Sequence, residues 1–103
     1  MTCIFCKIVN KETSAEIVYE NDKIVAFKDI NPKAPIHLLI IPKKHIPSLD
    51  HVEIKDKALM GELILTAQKI AREKRLKGYK LQINVGRQAG QMIDHLHLHL
   101  LSG

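Results

Sequence analysis

A chain of 103 residues has the size of one ordinary domain and can bury a single core. Hydrophobic residues make up 46%, which excludes a disordered chain, and aromatic residues only 4%, so we expect an aliphatic core. The net charge of +5 favours an anionic partner. Because no aromatic residues alternate with the basic ones, as they do in proteins that stack single-stranded bases, a small phosphorylated ligand is favoured over nucleic acid.

The N-terminal segment and the longest apolar runs argue against membrane targeting. No apolar run approaches the ~20 residues needed to span a bilayer. Residues 1–7 have no basic start, and their apolar run is too short for a signal peptide. We therefore expect a cytoplasmic protein with no membrane partner.

The first half of the chain predicts a short helix followed by three strands. Residues 3–9 read as a helical turn. Two β-rich runs, 17–20 and 24–28, are separated by three polar residues, which indicates a hairpin. Residues 36–41 form a strongly apolar strand that is ended by Pro42.

The second half predicts one long helix and two more strands. Apolar side chains recur at helical spacing between residues 56 and 76, and Gly78 stands where a helix stop belongs. Residues 79–85 and 95–101 are predicted to be the last strands. Five strands in hairpin order with one long helix predict a single α+β domain, residues 1–103, built on an antiparallel sheet.

The last predicted strand carries three histidines, His95, His97 and His99, that alternate with leucines. Side chains of a strand alternate between its faces, so the three imidazoles share one face, about 6.5 Å apart, and the leucines face the core. The alternatives are a polar face of an edge strand or a tract that scavenges metal. Three groups that titrate near neutrality on one face favour a functional cluster.

A glycine-containing loop, residues 86–92, leads directly into these histidines. Glycines permit tight loops whose backbone N–H groups converge on an anion. Many hairpin loops contain two glycines, so the loop by itself is weak evidence. Beside three histidines, it predicts a phosphate-binding loop.

Residues 95–101 match the signature of the histidine triad (HIT) family, His-φ-His-φ-His-φ-φ, at every position. The sequence resembles this family over nearly its whole length, and most of all the Hint branch of small homodimeric nucleotide hydrolases and transferases. The other matching segments are residues 26–32, 34–37, 41–45, 84–86 and 89–91. The resemblance implies the HIT fold, a five-stranded antiparallel sheet with one long helix and a short N-terminal helix.

The resemblance also implies catalytic roles. His97 would attack the α-phosphorus of a nucleotide and form a nucleotidyl-histidine, which water then cleaves; a neutral imidazole is a good nucleophile at pH 7. Its Nδ1–H needs an acceptor, for which the family uses a backbone carbonyl near the first histidine. His99 would donate to phosphate oxygens, and His95 and His37 would complete the cluster. Without the resemblance, His37 would read as a satisfied core histidine.

A nucleotide pocket is implied in the same way. Asp29 would accept hydrogen bonds from the ribose hydroxyls, Asn84 would contact the phosphate side, and backbone N–H groups of the 86–92 loop would bind the α-phosphate. The loop residues are Gly90, Gln91 and Met92, and the apolar slot for a purine base is Ile8, Phe27, Ile30 and Leu39, which could equally be ordinary core. Met92 replaces a hydroxyl residue usual in the Hint branch, and the sequence ends at Gly103, short of an extension that some relatives have.

Cys3 and Cys6 form a C-x-x-C pair, which by itself could be a redox pair, a metal site or two small packing residues. Some HIT proteins bind structural zinc through such a pair and two histidines. The resemblance assigns these histidines to His45 and His95, and a Cys₂His₂ set suits a structural zinc. His51 reads as a surface residue.

Three functions compete at this point. The leading one is a purine nucleoside phosphoramidate hydrolase, or a related nucleotidyl hydrolase, acting through His97. The second is a nucleotide-binding scaffold with little turnover. The third, a hydrolase with all three histidines on one metal ion, is disfavoured because Asp94 points away from them. The resemblance further implies a homodimer, in which Leu63, Ile64 and Ala67 of the long helix would pair across the two-fold axis.

Overall fold

The computed structural model describes residues 3–103. The two helices and five strands are α1 (Ile4–Val9), β1 (Ile17–Glu20), β2 (Ile24–Lys28), β3 (Ile36–Pro42), α2 (Lys57–Glu73), β4 (Lys80–Gln82) and β5 (Leu98–Ser102). They form one antiparallel sheet with a long and a short helix, and the predicted α+β fold class is therefore confirmed. Within residues 3–103 the structure contains no helix that is both long and apolar enough to cross a bilayer.

The strand order is β1-β2-β3-β5-β4, so the predicted hairpin order is wrong at one place. β3 pairs with β5, and β4 lies outside β5 at the edge. The burial of the strands gives the reason. Six of the seven residues of β3 are buried, whereas β4 has two exposed residues and one half-buried residue, and an exposed polar strand is tolerated only at a sheet edge.

Each face of the sheet is covered by one helix. Leu63, Ala67 and Ile70 of α2 pack on one face, in a cluster that also contains Leu96, Leu98 and Leu100. The other face carries a smaller cluster under α1, made of Phe5, Ile8, Val25, Phe27, Leu39 and Ile41. Leu63 and Ala67 therefore belong to the core of their own chain, and the prediction that they pair with a second chain is wrong; Ile64 is 52% exposed.

α2 ends three residues earlier than its apolar periodicity predicts. The backbone turns into the left-handed region at Arg75, with φ 56°, and the N–H of Leu76 donates to the carbonyl of Ala71. This is a Schellman ending with a non-glycine residue in the left-handed position. Gly78 lies further along and is not the stop signal.

β5 begins at Leu98 and not at His95 as predicted. The antiparallel ladder with β3 reaches Leu98 opposite Ile40 and stops before Pro42, which has no N–H to donate. The N–H of Leu96 donates instead to the carbonyl of Ile46. β4 is also shorter than the predicted 79–85, because the chain leaves the sheet after Gln82 to form the loop before the histidines.

Candidate functional site

A cavity of about 840 Å³ opens on the sheet face that carries α1. Its walls come from α1, four of the strands and the loop after β4. Of the residues predicted to bind a nucleotide, all but one line this cavity: Ile8, Phe27, Asp29, Ile30, Leu39, Asn84, Gly90, Met92, His97 and His99; His37 lines it as well. The exception is Gln91.

The apolar end of the cavity is also part of the core. Ile8, Phe27 and Leu39 are buried and pack together, so they are core residues that also line the cavity, and their contact with a base stays a prediction. Phe5, which the sequence reasoning missed, lies at the same end and meets Phe27 edge to face with ring centroids 5.4 Å apart. Ile30 is 90% exposed and lies at the rim, so it does not enclose a base in this structure.

His97 is held by the main chain of the first histidine. Its Nδ1 lies 2.7 Å from the carbonyl oxygen of His95, and since a carbonyl only accepts, Nδ1 carries the proton. The neutral ring then has its lone pair on Nε2. Phe5 stacks edge to face on His97, with ring centroids 5.3 Å apart. Burial lowers the pKa of His97, which keeps the ring in the neutral, nucleophilic form near neutral pH.

A chain of hydrogen bonds sets the tautomer of His99. The backbone N–H of Lys33 donates to Nδ1 of His37 at 3.0 Å, so Nε2 of a neutral His37 carries the proton. This Nε2–H faces Nδ1 of His99 at 2.9 Å and lies 3.4 Å from a carboxylate oxygen of Asp29. His99 therefore keeps its own proton on Nε2, as a donor. Burial and the neighbouring His97 and His37 lower the pKa of His99 to about 4.

The 86–92 loop is fixed by side-chain amides. Asn84 donates to the carbonyl of Ala89 at 2.6 Å, and a Cβ on Gly90, where φ is 92°, would lie 3.1 Å from this amide nitrogen. Gln91 is buried, donates to the carbonyls of Pro47 and Ile93, and accepts from the N–H of Gly86. Its own N–H donates to the Gly86 carbonyl. This donor therefore closes the loop in this structure, and phosphate binding by the Gln91 N–H stays a prediction.

The structure also adds residues that no sequence motif indicated. Gln82 pairs directly with His99 across the β4–β5 ladder and donates to Asn84 at 3.0 Å. Lys33 and Lys80 line the cavity near the histidines. The register of the β4–β5 pair brings Gln82 and Lys80 to the cavity. This register can be determined only after β4 has been placed next to β5.

A second cluster contains Cys3, Cys6, His45 and His95, whose potential ligand atoms all lie within 4.8 Å of one another. Nδ1 of His45 and Nδ1 of His95 are 3.2 Å apart, and sulfur–nitrogen distances run from 3.2 to 3.6 Å. A tetrahedral zinc with typical bond lengths of about 2.0–2.3 Å has ligand–ligand edges of roughly 3.3–3.8 Å. The four residues are therefore close enough to one another to hold a metal ion.

His95 is prepared for ligation through Nδ1. Its Nε2–H donates to the carbonyl of Pro42 at 2.8 Å, which leaves the Nδ1 lone pair facing the cysteines. Burial, more than the charges of His45 and His97, lowers the pKa of His95 and keeps this ring neutral. Burial and Cys3 raise the pKa of the Cys6 thiol to about 11. A cation bound next to such a thiol would favour its thiolate form.

The three histidines of the motif thus have separate surroundings. His95 belongs to the cysteine cluster, His97 binds a carbonyl, and His99 pairs with His37. They do not surround one common point as ligands of one ion would. The metal-dependent alternative with three histidines on one ion receives no support from residues 3–103. His51 is exposed, as predicted, and lies outside both clusters.

Comparisons with known proteins agree with this architecture. Residues 2–103 match the family model described as the scavenger mRNA decapping enzyme C-terminal binding region. Protein HitA of Neisseria gonorrhoeae is 48% identical over 100 residues, which cover 96% of this chain and 94% of the relative. A HIT-like protein of Synechocystis is 48% identical over 101 residues, covering 97% of this chain and 89% of that protein.

Solved structures extend the likeness to three dimensions. A HIT family hydrolase from Legionella pneumophila superimposes with a TM-score of 0.97 at 46% identity, covering 99% of this chain and 93% of the other. A histidine triad protein from Clostridium difficile gives a TM-score of 0.96 at 43% identity, covering 100% and 91%. The chain belongs to the histidine triad family and has the HIT fold.

Proposed function

We propose that the protein is a hydrolase that cleaves purine nucleoside phosphoramidates, or related nucleotides, at the α-phosphate through a covalent bond to His97. The observation that carries the proposal is the 2.7 Å contact between Nδ1 of His97 and the carbonyl of His95. It fixes the tautomer that leaves Nε2 as a nucleophile, in a ring that lines the cavity. The name of the Legionella neighbour, a HIT family hydrolase, supports hydrolysis in general.

In the first step, Nε2 of His97 attacks the α-phosphorus. The Nε2–phosphorus bond forms, and the phosphorus–nitrogen bond breaks with its electron pair on the leaving nitrogen, which takes a proton from solvent. His99 donates its Nε2–H to a nonbridging phosphate oxygen and stabilises the charge that grows there in the transition state. The His37–His99 contact holds this donor in place, since it occupies the other ring nitrogen.

In the second step, water attacks the phosphorus of the nucleotidyl-histidine. A phosphorus–oxygen bond forms, the Nε2–phosphorus bond breaks with its electron pair returning to His97, and the water loses one proton to solvent. The carbonyl of His95 accepts from Nδ1–H in both steps and stabilises the positive charge of the substituted ring. The products are a nucleoside monophosphate and the free amine.

Different residues that line the cavity would contact the base, the ribose and the phosphate of the nucleotide. The buried Ile8, Phe27 and Leu39 would hold the base, and the carboxylate of Asp29, next to them, would accept from the ribose hydroxyls. Asn84, Gly90 and Met92 line the same cavity and would contact the phosphate. Met92 is 78% exposed and brings no hydroxyl to the leaving group, which is the feature that favours the alternative of a nucleotide-binding protein with slow turnover.

We also propose that Cys3, Cys6, His45 and His95 hold a structural zinc ion. The fit of the interatomic distances to a tetrahedral edge supports it. Such an ion would connect α1 to the segment after β3, which contains His45, and to the segment before β5, which contains His95. It would also fix the orientation of the His95 ring. Because the His95 carbonyl accepts from His97, the same ion would help to position the nucleophile. The ion takes no part in the chemical steps.

The test is to trap the covalent intermediate. The protein is mixed with adenosine 5′-phosphoramidate, denatured at alkaline pH within milliseconds, and analysed by mass spectrometry. We expect one nucleotidyl group on a peptide containing His97, none in His97→Ala, and an unchanged amount in His51→Ala, which alters an exposed histidine outside the cavity. Nucleotide binding without any adduct or product would instead establish the slow-turnover alternative.

A further inference from the structure

Beyond the histidines, the cavity continues to a polar end that the nucleotide proposal leaves unassigned. This end is formed by Lys33, Ala34, Lys80, Gln82, Leu101 and Ser102. At about 840 Å³, the cavity lies in the upper part of the ~300–1,000 Å³ range of ligand sites. A base, a ribose and one phosphate would occupy the part between Phe27 and His99. The remaining space lies where a group attached to the α-phosphate would extend.

The register of the sheet places Lys80 next to this space. In the β4–β5 ladder, Gln82 pairs with His99 and Lys80 pairs with Leu101. Directly paired residues of antiparallel strands point to the same face, so Lys80 emerges on the histidine face, one pair beyond His99. The flexible four-carbon stem of a lysine lets its ammonium group extend over β5 towards the phosphate.

The charges at this end are unbalanced. Lys28, at the nucleoside end, is paired with Glu16 at 2.7 Å. By contrast, neither Lys33 nor Lys80 forms a salt bridge within residues 3–103. Asp29 is the one carboxylate that lines the described cavity, and it lies close to His37.

The other polar groups at this end already have partners. The hydroxyl of Ser102 donates to the carbonyl of Gly78 at 2.7 Å. The amide of Gln82 donates to Asn84. Lys33 and Lys80 therefore line this end of the cavity, and neither has an ion-pair partner within residues 3–103.

We propose that Lys80, assisted by Lys33, forms a subsite for an anionic leaving group, so that the protein prefers nucleotides whose α-phosphate carries a second phosphate or a carboxylate-bearing amine. This inference rests on the proposed nucleotide function and adds the charge of the substrate's second half. Lys80 is a specificity-determining residue here, and the bond-breaking steps remain with His97 and His99.

Calorimetric binding of two probes tests the subsite without turnover: adenosine monophosphate and the non-hydrolysable α,β-methylene adenosine diphosphate. We expect the wild-type protein to bind the diphosphate analogue more tightly. Lys80→Met should lower the diphosphate-to-monophosphate affinity ratio about fivefold, as for one exposed charge pair, and Lys80→Glu about 25-fold, since repulsion replaces attraction. Lys77→Glu makes the same charge change at an exposed lysine outside the cavity and should keep the wild-type ratio.

Two results would overturn the subsite while leaving the proposed function in place: a wild-type ratio near one, or equal ratios in Lys80→Glu and Lys77→Glu. Failure of the wild-type protein to bind either nucleotide would overturn both proposals. If Lys80 served only to keep the exposed strand soluble, its variants would leave the affinity ratio unchanged, which would also overturn the subsite.

Discussion

Nε2 of His37 lies 2.9 Å from Nδ1 of His99, and the backbone N–H of Lys33 occupies the other nitrogen of His37. Because a backbone N–H only donates, the proton positions of both neutral rings follow from this one contact. His99 is left as a donor towards the cavity. The contact joins β3 to β5, and it therefore depends on the central pairing of the sheet.

The first prediction concerns pH. The pKa of His99 is lowered to about 4 from an ordinary value of 6.5, so between these values the unfolded chain binds a proton that the folded chain does not. The stability that this histidine contributes is complete above pH 6.5 and is lost as the pH falls towards 4. Denaturation at several pH values should show a steeper decline for the wild type than for His99→Gln. An NMR titration midpoint of the His99 ring near 6.5 would contradict this.

The second prediction separates the roles of two histidines. His97→Ala should lower turnover of adenosine 5′-phosphoramidate by far more than 100-fold while nucleotide binding persists, because only His97 forms the covalent bond. His99→Ala should lower turnover by about 10²–10³-fold, which is the typical effect of removing one donor that stabilises charge in the transition state. Steady-state kinetics and calorimetry measure both, with His51→Ala as the control. If His97→Ala kept more than about a hundredth of the activity, another nucleophile would be at work.

The third prediction concerns the loop before the histidines. Gly90→Ala should destabilise the protein by about 1–3 kcal/mol, because φ is 92° there and the new Cβ would lie 3.1 Å from the Asn84 amide. Gly78→Ala is the matched control, since a Cβ at Gly78 meets nothing within 4 Å. Urea denaturation of both variants gives the comparison. Equal stabilities of the two variants would show that the loop conformation adapts freely.

The fourth prediction concerns the metal cluster. Protein purified without chelator should contain one zinc per chain, and Cys3→Ser should lower the melting temperature more than it lowers activity per folded molecule. Each ~1 kcal/mol lost should lower Tm by about 4–8 °C for a domain of this size. A chelator should lower the Tm of the wild type and leave that of Cys3→Ser unchanged. Less than about a tenth of an equivalent of transition metal, with no change of Tm on adding zinc, would show that the cysteines only pack in the fold and bind no metal.

The fifth prediction is a two-fold homodimer, which is supported by two exposed features. Ile64 and Leu65 of α2 are 52% and 61% exposed, and within residues 3–103 the outer edge of β4 is unpaired. Light scattering should give twice the chain mass of 11.7 kDa at micromolar concentration. Ile64→Glu should shift the mass towards the monomer, whereas Lys57→Glu, at an exposed position of the same helix, should not. A wild-type monomer at this concentration would refute the prediction.

Much of the fold could be predicted because the relevant signals are local. The alternation of histidine and leucine from His95 to Leu100 specifies two faces by itself, and Leu96, Leu98 and Leu100 do lie in the core under α2. The helical spacing of Leu63, Ala67 and Ile70 likewise identifies the buried side of α2. The end of that helix does not follow from the apolar spacing, because a left-handed Arg75 is not apparent from residue type.

The partners of the functional side chains were decided by the tertiary structure. Which ring each histidine meets depends on segments far away in the chain: Cys3 is 92 positions from His95, and His37 is 62 positions from His99. The pairing of β5 between β3 and β4 likewise places Gln82 beside His99 and Lys80 beyond it. Local periodicity determines which face of the sheet a side chain occupies. Its neighbours on that face depend on the strand order, and the strand order depends on how deeply each whole strand is buried.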